Sequence, residues 1–431
     1  MIPMKLRSFP VFTALLALLS CAPKTPAAAR PEAHAPVVKP GIEVLEESGF
    51  AALQGKRIGL VTNPSGVDRK LRPTIDILAG APGVELVALF APEHGVRGDV
   101  YAGGKIADYT DPKTGLPVHS LYGSRREPTD AMLAGIDVMV YDIQDVGTRS
   151  YTFISTLGLV MRACARLGIE VMVLDRPNPL GGEKVEGPLV EPGFFSFVSQ
   201  YAIPYVYGLT VGELAVLINE EGLNRGQKGT LEPVKCRLSV IPMEGWRRDM
   251  LYSDTGLPWI LPSPNIPSPR TAVCYPSAGI AGEFSGYLNI GIGYNIPFET
   301  FAAAWIDADA LKARLDSYAL PGVAFRTIHY KPFYGADKDT LLHGVQFYYT
   351  DYAAASITLT QFYVMQALQE LYPDHNPFLS GDRLRMFDLV CGTDYVRKEF
   401  GRRLQVEDIL SRWTRDVDGF KALSLRYHIY Q

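Results

Sequence analysis

From Lys56 onward, apolar residues fall in short continuous blocks separated by stretches of helical periodicity. Arg57–Thr62 (R-I-G-L-V-T), Leu86–Ala91 (L-V-A-L-F-A), Asp137–Tyr141 (D-V-M-V-Y) and Glu170–Leu174 (E-V-M-V-L) are the blocks. Runs of this kind suit strands buried on both faces. Leu71–Leu78 and Phe153–Leu167 place their apolar residues at helical spacing. Strands alternating with helices predict an α/β domain with a parallel sheet covered on both sides. Right-handed crossovers then bring every strand's carboxyl end to one edge, where open α/β sheets bind their ligands.

Polar residues crowd at that edge. Asn63 and Ser65 follow the first block. Pro92 stops the second, since proline gives no N–H to a ladder, and Glu93 and His94 come next, with Gly95 and Gly98 allowing a tight turn. The third block leads into D-I-Q-D-V-G-T-R-S-Y, carrying Asp142, Gln144, Asp145, Arg149 and Tyr151. The fourth leads into D-R-P-N-P-L-G-G, carrying Asp175, Arg176 and Asn178. A carboxylate and an imidazole directly beyond a buried strand, Glu93 and His94, are the first candidates for chemistry. The layout is Rossmann-like, yet the first turn is T-N-P-S-G instead of G-x-G-x-x-G, and Pro64 removes a donor that a pyrophosphate would need. No cofactor is expected.

Further on, Thr210-Val211-Gly212-Glu213 is a capping box opening a helix through Asn219. Pro258–Pro269 (P-W-I-L-P-S-P-N-I-P-S-P) is held extended by its prolines, carries Asn265 and ends at Arg270. Glu283 then lies between glycines in a stretch rich in Tyr and Asn (Tyr287, Asn289, Tyr294, Asn295), residue types that suit sugar faces and hydroxyls. Beyond Pro297 the pattern predicts a helix over Phe298–Leu315, strands at Val323–Ile328 and Gly344–Thr350, a helix over Ser356–Leu371 and several short helices from Arg383 to Tyr427. Residues 41–290 are therefore expected to form the Rossmann-like domain and 291–431 a smaller α+β domain, with a cleft between them.

The start of the chain belongs to neither domain. Lys5 and Arg7 precede an apolar run, Phe9 to Leu19, too short to span a bilayer. It ends in Leu18-Leu19-Ser20-Cys21, which resembles a bacterial lipobox, so residues 1–20 read as a lipoprotein signal and Cys21 as the lipidated residue. Ala22 in place of Asp favours the outer membrane of a Gram-negative cell and its periplasmic face. Residues 22–40 are rich in proline and alanine and serve as a tether. Net charge is −4 and no basic run exists, so nucleic-acid binding has no electrostatic support. Cys164, Cys236, Cys274 and Cys391 lie far apart and match no zinc spacing. An oxidising compartment would permit two disulfides, although Cys164 sits in an apolar helix and reads as buried and free.

Together V-T-N-P-S-G at 61–66, F-A-P-E-H-G at 90–95, Y-D-I-Q-D-V-G-T-R-S-Y-T-F at 141–153, L-D-R-P-N-P-L-G-G at 174–182 and P-S-P-N-I-P at 262–267 resemble the exo-β-N-acetylmuramidase family known as NamZ. The resemblance covers about Gly41 to the C-terminus, the C-terminal part only in general character. It implies a Rossmann-like domain, an auxiliary domain and an active site in the cleft between them. It also implies removal of terminal N-acetylmuramic acid from the non-reducing ends of peptidoglycan fragments, with Glu93 as the catalytic glutamate. Glycoside hydrolysis needs an acid for the leaving oxygen and a second group at the anomeric centre. Glu93 suits the acid, with His94 orienting it or sharing its role. Glu283 is the first choice for the second group; the substrate's own acetamido group, oriented by Asp142 or Asp145, is the alternative.

Two other classes stay open. A periplasmic binding lipoprotein would use the same cleft without catalysis, and a metal-dependent hydrolase could draw on His94, Asp142 and His119. Partners are expected to be peptidoglycan-derived saccharides, with the membrane reached only through the lipid. A muramide-selective site should offer a cation to the lactyl carboxylate, and Arg149, Arg176 and Arg270 fall in the polar loops. Each has an equally good structural use: Arg176 beside Asp175 or Asp142, Arg149 near Asp145.

Overall fold

The computed structural model describes residues 38–98, 107–222, 235–379 and 383–431. The signal segment, Cys21 and nearly all of the tether lie outside them. The described residues all belong to one compact unit.

All four apolar blocks are strands: Arg57–Thr62 (β1), Glu85–Ala91 (β2), Val138–Asp142 (β5) and Glu170–Leu174 (β6). Three further strands complete their sheet, Tyr109–Thr110 (β3), Pro117–Ser120 (β4) and Leu238–Ile241 (β7). The order is β3-β4-β2-β1-β5-β6-β7, parallel throughout except for the edge strand β3.

Side chains alternate between the two faces, as the strand period of two requires. Val61, Phe90, Met139, Tyr141 and Val171 pack against Phe153–Leu167 (α4) and Val211–Glu221 (α5). Ile58, Leu60, Leu89, Val140 and Met172 pack on the opposite side against Gly41–Glu47 (α1) and Thr74–Ala79 (α2). One short helix, Asp130–Leu133 (α3), precedes β5. The Thr210 capping box is formed, its hydroxyl accepting from Glu213 N.

A second sheet, order β8-β10-β9 and antiparallel, comprises Thr300–Ala303 (β8), Val323–Tyr330 (β9) and Leu342–Tyr349 (β10). The expected helix over Phe298–Leu315 is thus a strand followed by a shorter helix, Ala308–Ser317. Thr300–Phe301–Ala302–Ala303 has little local preference, and pairing with β10 forty residues away decides it. Thr360–Leu371 and Leu384–Cys391 are the main helices beyond. Their core takes in Cys274, Ala278, Ile280 and Phe284, and also Leu180, Tyr205 and Val206 from the first half, so the two halves share buried surface. All four described cysteines are free and buried. No helix of the described residues is long and apolar enough to cross a membrane.

Candidate active site

Leaving out β3, the first sheet runs in the doubly wound order, and its direction reverses between β1 and β5. A crevice normally opens there for a ligand. In this protein it is filled. Asn63 Oδ1 accepts from Ser65 N (3.0 Å) and Ser65 Oγ (2.5 Å), while Asn63 Nδ2 donates to Pro262 O (3.2 Å), closing the crevice from above. Ser65 Oγ accepts from Gln144 N (2.9 Å), and Gln144 Nε2 donates to Pro177 O (2.7 Å). Arg176 grips Asp142 with Nε (2.5 Å) and Nη2 (2.9 Å), and Thr74 Oγ1 donates to the same carboxylate. Asn178 spans from Leu209 O to Leu180 N. A Cβ on Gly66 would lie 2.2 Å from Thr62 Oγ1, so the turn admits only glycine. The hollow left is about 10 Å³, room for one water at most.

Contrary to the expectation from sequence, then, Asn63, Ser65, Asp142, Gln144, Asp145, Arg176 and Asn178 are buried girders that do not line a cleft. Burial pushes the Asp145 carboxyl up to about 6, against hydrogen bonds from Tyr207, Gly147 N and Val146 N. The role of orienting an acetamido group is not open to Asp142 or Asp145 from these positions.

Arg149 and Arg270 are also committed. Arg149 is fully buried, and no carboxylate among the described residues pairs with it. Its Nη1 donates to Pro188 O (2.7 Å) and Ile203 O (2.6 Å), its Nη2 to Val390 O (3.2 Å) and Cys391 O (2.8 Å), the last carbonyls of a helix. Cations are favoured at that end of a helix dipole, although burial lowers the Arg149 pKa to about 10. Arg270 pairs with Glu299 (2.6 Å) and lies over the Tyr348 ring. His94, Asp142 and His119 form no ligand cluster, and no group of three or more His, Cys, Asp or Glu among the described residues could hold an ion.

The open cleft lies one strand over, beyond the carboxyl ends of β2 and β4 and at the start of α4, facing residues 263–298 and 386–389. Its volume is about 570 Å³, within the range of small-ligand pockets. Glu93 reaches it from a turn closed by Gly95 N donating to Pro92 O (3.2 Å). His94 occupies the third position of that turn with φ 78°, a conformation glycine adopts freely and histidine only at a cost. Tyr122 hydrogen-bonds Glu93, and burial together with the Glu93 charge pushes its phenol up to about 12, so it remains a neutral donor.

From the facing side Glu283 enters on a turn of 3₁₀ helix, Ala281–Phe284. Arg383 Nη2 holds its Oε2 (2.6 Å), which leaves Oε1 for a ligand. Tyr275 stands in the field of both glutamates; burial first, and then their charge, pushes it up to about 12. Tyr275 and Tyr151 pack edge to face at 5.4 Å, Ser150 Oγ bonds Tyr275 Oη (3.0 Å), and Tyr151 bonds Ser263. Asn265 also lines the cleft, accepting from Tyr334.

Of the residues singled out in the sequence, the structure therefore brings together Glu93, His94, Tyr151, Asn265 and Glu283. Sequence reasoning missed Tyr122, Arg126, Ser150, Phe197, Tyr275 and, behind Glu283, Arg383. Tyr122 and Arg126 follow β4 as Glu93 follows β2, so recognising Pro117–Ser120 as a strand would have found them by the same rule.

Two carboxylates from opposite walls of a tyrosine-lined cleft, above a doubly wound sheet, form the layout of an acid–base hydrolase of sugar bonds. The chain belongs to the family described as Exo-beta-N-acetylmuramidase NamZ, with residues 58–270 matching its N-terminal part and 273–430 its C-terminal part. It is 40% identical over 425 residues to the Peptidoglycan beta-N-acetylmuramidase NamZ of Bacillus subtilis (strain 168), covering 97% of this chain and 99% of that one. Among solved structures it is similar to two DUF1343 family proteins of Bacteroides fragilis NCTC 9343. One superposes with a TM-score of 0.85 at 52% identity, the other with 0.68 at 29%, each match covering 91% of this chain and 99% of the other.

Proposed function

We propose that this protein is an exo-acting glycoside hydrolase that removes terminal β-linked N-acetylmuramic acid from the non-reducing ends of peptidoglycan fragments. The observation that carries the proposal is the convergence of Glu93 and Glu283 on one cleft, with Tyr275 in the field of both. Glu93, beside the neutral phenol of Tyr122, protonates the departing glycosidic oxygen. Glu283 acts at the anomeric centre through Oε1, its other oxygen being tied to Arg383. Tyrosine rings and Asn265 supply apolar faces and hydroxyl partners for a pyranose.

The test is incubation with the two disaccharides that differ in order. Release of N-acetylmuramic acid from MurNAc-β-1,4-GlcNAc, with GlcNAc-β-1,4-MurNAc untouched, is the expected result. Binding of both without cleavage would favour a saccharide-binding lipoprotein instead, and loss of cleavage on chelation would favour a metal hydrolase.

Cys21 is proposed as a lipid anchor holding the enzyme at the periplasmic face of an outer membrane. The support is the lipobox, Ala22 and the proline-rich tether. Several acyl chains on one cysteine hold a protein far more firmly than a single chain does. Metabolic labelling with a fatty acid should be lost in C21A; labelling that persists would remove the anchor.

A further inference from the structure

N-acetylmuramic acid differs from N-acetylglucosamine by a lactyl ether on C3 that ends in a carboxylate. A site for it, on the function proposed above, needs a cation that is not already neutralised. Arg149, Arg176 and Arg270 do not meet that need: the first is spent on four carbonyls, and the other two are paired with Asp142 and Glu299. Arg383, behind Glu283, is paired with it.

Among the described residues that line the cleft, Arg126 is the only arginine or lysine. No carboxylate of the described residues pairs with it. Its guanidinium lies 4.2 Å from the centre of the Phe197 ring, joining the loop after β4 to residues 196–198 along one wall. A guanidinium laid on an aromatic face has its plane fixed and its N–H edge still available, the geometry in which arginine forks a carboxylate.

Position agrees with charge. Tyr122 hydrogen-bonds Glu93 and is also in the field of Arg126, so the cation and the carboxylate that protonates the glycosidic oxygen both stand near one phenol. On a pyranose, C1 and C3 flank C2 along one edge. A sugar seated with its glycosidic oxygen at Glu93 can therefore present its C3 substituent to Arg126, which lines the same cleft.

We propose that Arg126 is the specificity-determining residue of this site, binding the lactyl carboxylate of the terminal sugar and so selecting muramic acid over glucosamine. The experiment uses three chromogenic substrates: the β-N-acetylmuramide, its lactyl methyl ester and the β-N-acetylglucosaminide. In R126A, kcat/KM on the free acid should fall roughly 10- to 100-fold, the range of a charge-assisted hydrogen bond, while the ester and the glucosaminide change little. R126K keeps the charge without the fork and should fall between. A merely structural role for Arg126 would lower all three substrates together and leave the acid-to-ester ratio at its wild-type value; that result overturns the proposal. Binding of free N-acetylmuramic acid against N-acetylglucosamine, measured by calorimetry on wild type and R126A, reads the same selectivity without turnover. If the wild type hydrolyses none of the substrates, the hydrolase assignment fails, and an unchanged binding ratio in R126A would separately overturn the role of Arg126.

Discussion

Two groups of polar side chains stand at the carboxyl edge of one sheet and do opposite things. The group above β1, β5 and β6 is closed on itself, its carboxylate, guanidinium, amide and hydroxyl groups meeting one another. The group above β2 and β4 keeps charges turned to an open cleft. The first occupies the place where a doubly wound fold ordinarily binds its ligand. Filling the switch point with hydrogen bonds leaves a rigid shelf, and the cleft opens beside it. These side chains are buried and spent mostly on one another and on the backbone, and so they are not available to substrate.

The comparison predicts that the cleft group can be changed at the expense of activity alone and the girder group at the expense of stability alone. The largest effect is expected for E93Q, which keeps the shape and removes the titrating proton. Hydrolysis of the natural disaccharide should fall roughly 10²–10⁴-fold with an unchanged melting temperature. A variant that keeps most of its activity would take Glu93 out of the acid role.

R176M comes next. It strands the Asp142 carboxylate, which is fully buried, beside Thr74. Loss of one partner of a buried pair costs about 3–5 kcal/mol, to be read from urea unfolding. Turnover per folded molecule should hold near wild type, and a selective loss of turnover in a stable R176M would place Arg176 in the site after all.

A smaller effect tests the price of burial at Asp145. Its pKa of about 6, raised from 3.8, means that the folded protein still holds this proton where the unfolded chain has released it. Its contribution to stability therefore declines as pH climbs from about 4 to about 6 and is level above that. D145N removes the decline. Between those two pH values wild type should lose about 1–3 kcal/mol relative to the variant, and equal slopes in the two proteins would refute the shift.

Smallest is Y122F, which takes one hydrogen bond from Glu93. About a tenfold loss in kcat/KM with normal stability is expected, and a loss of stability without a change in rate would assign Tyr122 to the shelf.

The shelf and the cleft look alike in the sequence because the same local rule, polar residues directly after a buried strand, generates both. The rule identified the edge correctly and put Glu93 and His94 beside the cleft. It offered nothing to say that Asn63 turns down to Ser65 and up to Pro262, a contact across 199 positions. It also passed over Tyr122 and Arg126, because β4 is a four-residue strand whose polar His119 and Ser120 break the apolar block. A lactyl-binding cation at Arg149, Arg176 or Arg270 is not available, because backbone carbonyls, Asp142 and Glu299 commit all three.

Apolar blocks and helical periodicity determined β1, β2, β5, β6 and α4 almost to the residue, because burial on both faces demands continuous apolar strands and an amphipathic helix to cover them. The sequence likewise determined that a glutamate and a histidine would sit just past a strand. Tertiary structure alone decided which charges neutralise each other and which remain open. A guanidinium becomes a girder or a ligand site according to whether a carboxylate or a ring of carbonyls lies within about 3 Å, and the residues that supply them come from segments far apart in the chain.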